Sequence, residues 1–136
     1  MAYAQTKPAV ELLRASLRLR ADPSEANRAV FVKLIASLRA TLGPDAWIQA
    51  LFTLDGIARM ARGAGDWELA RIATQNMLDH DPEYAAGHYA AALLAEHQGD
   101  KAKTKAALER ARQLWGKADS DFPEMINIQQ RLATAQ

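Results

Sequence analysis

Few side chains in this 136-residue chain combine a reactive type with a useful spacing. The histidines are His80, His88 and His97. His88 and His97 stand nine residues apart, which on one helix puts them on different faces, and neither pairs at i, i+4 with a second metal ligand. No cysteine is present, so thiolate metal sites, disulfides and cysteine nucleophiles are excluded together. No serine sits in a Gly-x-Ser-x-Gly turn. Gly63-Ala64-Gly65 lacks the lysine of a phosphate loop and reads as a helix stop. The carboxylates Asp22, Asp45, Asp66, Asp100 and Asp121 all fall where helices should begin, and capping accounts for them. The chemistry expected is therefore none: no catalytic residue, no metal and no cofactor.

Binding is the remaining possibility. Trp47, Trp67 and Trp115 are the residue type most enriched in protein-binding hot spots, although inter-helix packing is the favoured reading of each. Arg14, Arg18 and Arg20 form a small basic cluster without interleaved aromatics, a pattern that favours a solvated face over a nucleic-acid site. The formal net charge is +1, so no bulk attraction to nucleic acid or membrane is expected. It is unevenly spread: residues 1–62 hold nine Lys/Arg against five Asp/Glu, and residues 63–136 hold eight against eleven. The first residues, Met1 to Pro8, lack the basic start and apolar run of a signal peptide, and no apolar stretch approaches the ~20 residues that span a bilayer. A cytoplasmic location is expected, either for the chain by itself or as a piece of a larger protein.

The elements that would position these residues are helical. Apolar content leans on alanine and leucine, both strong helix formers, and no segment alternates with period two. Seven helices are expected. The first runs from about Pro8 to Arg20, with Val10, Leu13 and Leu17 on one stripe and Arg14 and Arg18 on another. The second opens at Asp22-Pro23-Ser24-Glu25, with Asp22 as the cap, carries Val30, Phe31, Leu34, Ile35, Leu38 and Leu42, and stops at Gly43-Pro44. The third carries Trp47, Leu51, Leu54, Ala58 and Ala61 and stops at Arg62-Gly63-Ala64-Gly65. The others run from Asp66 to about His80, from Pro82 to about Gln98, from Asp100 to about Lys117, and from about Asp121 nearly to the end. Short connections make successive helices antiparallel neighbours.

Gly65-Asp66 recurs as Gly99-Asp100, 34 residues later, and Pro82 falls 17 residues after Gly65. Around these points the chain resembles the tetratricopeptide repeat (TPR) family, bacterial type, whose 34-residue unit is a pair of antiparallel helices. Counting a first unit from Leu51, Ala58 takes the small eighth position, Gly65-Asp66-Trp67 the turn, Ala70 the small position of the second helix, and Pro82 the close. Counting a second from Ala85, His88-Tyr89 matches an aromatic pair, Ala92 the eighth position, Gly99-Asp100 the turn, and Ala111 a small residue near the end. Thr104, Ala61, Ala95 and Gly116 depart from the pattern. Phe122 and Met125 would open half of a third unit, and the stretch from Leu114 to Glu124 is similar to the last-unit ending of many such proteins. The resemblance implies one all-α domain over 1–136, a right-handed solenoid of helical hairpins. Its parts would be an N-terminal pair at 8–43, units at 44–82 and 83–117, and a capping helix at 121–135.

The resemblance also implies a function, non-catalytic protein or peptide binding in a concave groove. The first helices of the units would present Phe52, Asp55, Arg59 and Arg62, then Ala86, Tyr89, Leu93 and Glu96. The Lys/Asn/Arg set with which chaperone-binding members clamp a C-terminal carboxylate is missing; Asp55, Arg59 and Ala90 stand there instead. The competing expectation is a regulatory or nucleic-acid-associated helical domain of a larger signalling protein, working through the basic first helices. No oligomeric state follows from the sequence.

Overall fold

The computed structural model of the chain describes residues 2–41, 47–116 and 123–134, with side chains at 10–37, 50–116 and 123–134. It is all-helical: the described residues form seven helices and no strand. They are α1 (Ala2–Ala21), α2 (Glu25–Thr41), α3 (Trp47–Gly63), α4 (Trp67–His80), α5 (Ala85–His97), α6 (Lys101–Trp115) and α7 (Pro123–Thr134). The chain divides into two compact units, Met1–Ile72 and Ala73–Gln136, with the division falling inside α4.

Three helix starts differ from the sequence expectation. The first helix begins at Ala2, so Pro8 lies within it and does not open it. At α2 the cap is Ser24, whose hydroxyl accepts from the Asn27 amide at 3.3 Å, and Asp22 instead accepts from the Asn27 side chain at 3.2 Å. Helix α5 starts at Ala85 because Asp81 to Tyr84 close a turn first. The Tyr84 amide donates to the Asp81 carbonyl at 3.1 Å and the Glu83 amide to the Asp81 carboxylate at 2.9 Å, with Pro82 at the second turn position, which its fixed φ suits. The expected caps Asp45 and Asp121, the core residues Leu38, Leu42 and Phe122, and the side chain of Trp47 lie outside the described residues.

The repeated Gly-Asp is one turn built twice. Gly65 and Gly99 take φ of 75° and 77°, a left-handed conformation that favours glycine. Each terminates a helix with the same pair of bonds. Gly65 N donates to Arg62 O (3.1 Å) and Asp66 N to Ala61 O (2.8 Å); Gly99 N donates to Glu96 O (3.0 Å) and Asp100 N to Ala95 O (2.9 Å). This is the Schellman arrangement, which satisfies carbonyls left over at a helix end. Each aspartate then caps the next helix, Asp66 accepting from Leu69 N at 3.1 Å and Asp100 from Lys103 N at 3.0 Å. Asp66 also holds Arg28 of α2 at 2.8 Å, tying α2 to the start of α4.

Small residues fill the positions where helices meet. Ala58, Ala70, Ala92 and Ala111 are completely buried. Thr104, one of the departures, is buried as well, and its hydroxyl is satisfied by the Asp100 carbonyl at 2.7 Å. Ala70→Leu should destabilise the chain by about 1–3 kcal/mol, because extra methylenes in a closed site force strain. A denaturant melt reads this directly, and an unchanged midpoint would show that the site is not tight.

The first unit's core takes Leu12, Ala15 and Leu19 from α1, Phe31 and Ile35 from α2, and Leu51, Leu54, Ile57 and Ala58 from α3. The buried stripe of α1 is thus 12, 15, 16 and 19, and the more hydrophobic stripe 10, 13 and 17 faces outward. In the second unit Ala92, Leu108, Ala111, Met125 and Ile128 form one cluster, with Tyr89, Trp115 and Leu132 packed against it.

Candidate functional site

The expected groove residues fall in both units, and each set is described within its own. In the second unit Tyr89 and Glu96 are engaged by α7. The Tyr89 hydroxyl donates to Asn127 Oδ1 at 2.8 Å, and its ring lies 6.0 Å from that of Trp115 at a tilted angle. Glu96 pairs with Arg131 of α7, and this hydrogen bond is the largest cause raising the Arg131 pKa above its usual value. Leu93 is half-buried and Ala86 buried. Sequence reasoning offered α7 as a cap and α5 as a ligand surface. The contact between Tyr89, Glu96 and α7 was not legible, since Asn127 and Arg131 carry no motif.

In the first unit α3 presents its residues differently. Phe52 is 67% exposed. Asp55 and Arg59 pair across one helical turn at 3.0 Å, so Arg59 reaches any ligand already partly neutralised. Arg62 is half-buried. Phe52, Gly56 and Arg59, spaced at i, i+4 and i+7, form the outer ridge of the helix.

Beside that ridge lies a feature the sequence did not announce. A crevice of about 320 Å³ separates α1 from α3, lined by Leu12 and Leu13 on one side and Thr53, Gly56, Ile57 and Met60 on the other. Ser16 also lines it, but its hydroxyl donates to the Leu13 carbonyl at 2.7 Å, which leaves the wall mainly apolar. Above the crevice the outward stripe of α1 stands in solvent, with Leu13 60%, Leu17 55% and Val10 44% exposed. A lone exposed leucine is ordinary; here several stand on one helix, beside an apolar crevice and an exposed phenylalanine.

Gly56 sharpens the point. A glycine inside a helix costs about 0.5–1 kcal/mol relative to alanine. Gly87 of α5 has a structural reason, since a Cβ there would stand 2.9 Å from Leu78 Cδ2. A Cβ on Gly56 would meet nothing within 4 Å. Packing in the free protein does not require a glycine at this point of the crevice wall.

The remaining candidates are structural where they can be placed. Trp115 packs on the second unit's cluster and Trp67 is half-buried. His88 Nε2 lies 2.6 Å from the Pro82 carbonyl, which fixes the turn before α5. Among the described residues no three His, Asp or Glu side chains gather as a metal site would require, and no helix is long and apolar enough to cross a membrane. Comparisons with protein families, with characterised proteins and with solved structures return no match for this chain.

Proposed function

We propose that this chain is a non-catalytic protein-interaction module, a TPR-like stack of helical hairpins that holds a protein or peptide partner on the exposed face of its first unit. The observation that carries the reading is Phe52, two-thirds exposed on the α3 ridge beside an apolar crevice. Exposing a phenylalanine and three aliphatic side chains in one region contributes nothing to folding, whereas burying them against a partner removes apolar surface from water. The recurring Gly-Asp turn and the buried small residues support the hairpin-repeat part of the reading.

The structure changes the experiment that tests it. Tyr89→Ala would remove a side chain bonded to Asn127 and packed on Trp115, so a loss of binding would be confounded by damage to the second unit. Phe52→Ala with Arg59→Ala avoids this, because both side chains lie outside the core. In affinity capture followed by mass spectrometry, the doubly substituted protein should lose the parent's partners while keeping its helicity by circular dichroism. Full retention of every partner would place the binding surface elsewhere.

A further inference from the structure

Resting on that reading, we infer that the crevice between α1 and α3 takes an amphipathic helix whose apolar face is flanked by acidic residues. The shape argues for a helix. The crevice runs between two helices, its walls are mainly apolar, and exposed apolar side chains continue from it: Leu13 lines it, Leu17 follows one turn along α1, and Phe52 stands one turn before Gly56 on α3. An amphipathic helix laid in such a groove inserts side chains at i, i+3/i+4 and i+7. Gly56 supplies the notch in the crevice wall, where open space on the α3 backbone admits the partner's closest approach.

The charges argue for acid. Arg20 lies on the same side of α1 as Leu13 and Leu17, at i+7 and i+3, and Arg14 borders the other side of the stripe. Arg14, Arg18 and Arg20 are all exposed, and no ion pair holds them among the described residues. On α3, by contrast, Arg59 is matched by Asp55. The unpaired charge on the crevice side of α1 is therefore that of Arg20, with Arg14 and Arg18 further round the helix, and it is positive. A second copy of the chain fits poorly, since a two-fold contact would set three arginines and a single Glu11 against the same set. Nucleic acid fits poorly too, because an apolar crevice gives phosphate nothing to bind and the arginines are interleaved with leucines, not aromatics.

The test uses the full chain and a labelled synthetic helix with leucines at i, i+3 and i+7 and glutamates on both flanks, followed by fluorescence anisotropy. A control peptide carries lysine for every glutamate. The acidic peptide should bind in the micromolar range, at least about tenfold more tightly than the lysine peptide, and more weakly as salt rises. Gly56→Trp should weaken it about tenfold or more by filling the notch, and Arg20→Glu should weaken it while improving the lysine peptide. Because a Cβ at 56 meets nothing within 4 Å and a glycine inside a helix is itself costly, the melting midpoint of Gly56→Trp should be at or above the parent's. Equal affinity for the two peptides, or an unaffected Gly56→Trp, overturns the inference. So does an oligonucleotide that competes at matched charge, or a dimer in sedimentation that Gly56→Trp dissociates. Failure of the acidic peptide while capture still depends on Phe52 rejects the acidic helix alone; failure of both rejects the docking surface itself.

Discussion

Phe31→Ala should lower the unfolding free energy by about 3–5 kcal/mol, and Phe52→Ala, the same chemical change, should alter it by no more than about 0.5 kcal/mol. Phe31 is completely buried in the first unit, so truncation loses its transfer free energy and leaves a cavity that its neighbours fill only in part. Phe52 is two-thirds exposed, and its removal takes away little that the free protein uses. Urea titrations of the two variants against the parent measure the difference. A shared, large loss would mean that Phe52 is covered within the chain, and the case for a partner there would fail. The pair thus separates a residue kept for folding from one kept for another reason.

Ile128→Ala carries the second large effect, a loss of about 2–5 kcal/mol. Ile128 is completely buried in the cluster that α5, α6 and α7 share, against Ala92, Leu108 and Ala111. Two of those neighbours, Ala92 and Ala111, carry only a methyl group, which cannot turn into the space, so it closes only in part. Ile126, two positions away and 40% exposed, should tolerate the same truncation with little change. Loss of Ile128 should also release α7, because Tyr89–Asn127 and Glu96–Arg131 depend on its seating. The check is amide exchange in α5 and α7 beside a denaturant melt. Unchanged protection of α7 in Ile128→Ala would show that the helix is held by its polar contacts alone.

What could be read from the sequence divides along the range of the forces involved. Helix number and type were legible, since alanine-rich segments with glycine and proline stops leave no room for strands. The Gly65-Asp66 and Gly99-Asp100 turns were legible down to their caps, because a left-handed residue and a side-chain acceptor act within six residues. The start of α2 was misassigned between Asp22 and Ser24, two good caps two residues apart, and local pattern does not rank them. The face of α1 was harder still. Val10, Leu13 and Leu17 make the greasier stripe, yet Leu12, Ala15, Ser16 and Leu19 are buried. That choice is tertiary, and the crevice beside α3 follows from it. That Phe52, Asp55, Arg59 and Arg62 share one helix is legible in the sequence, but the pairing of Arg59 with Asp55 and the open flank at Gly56 are tertiary and local geometry that no motif announces.

The central claim is that the outer face of α1 and α3 meets another polypeptide. It is tested most directly by a photo-reactive amino acid placed at Phe52, with a second protein carrying the same group at Val30, which is 51% exposed on α2, as the control. After illumination in cell extract, position 52 should give discrete cross-links to a heterologous polypeptide that are absent from position 30 and lost when Leu13→Glu is added. Identical products from the two positions, or none from position 52 beyond solvent adducts, would contradict the account.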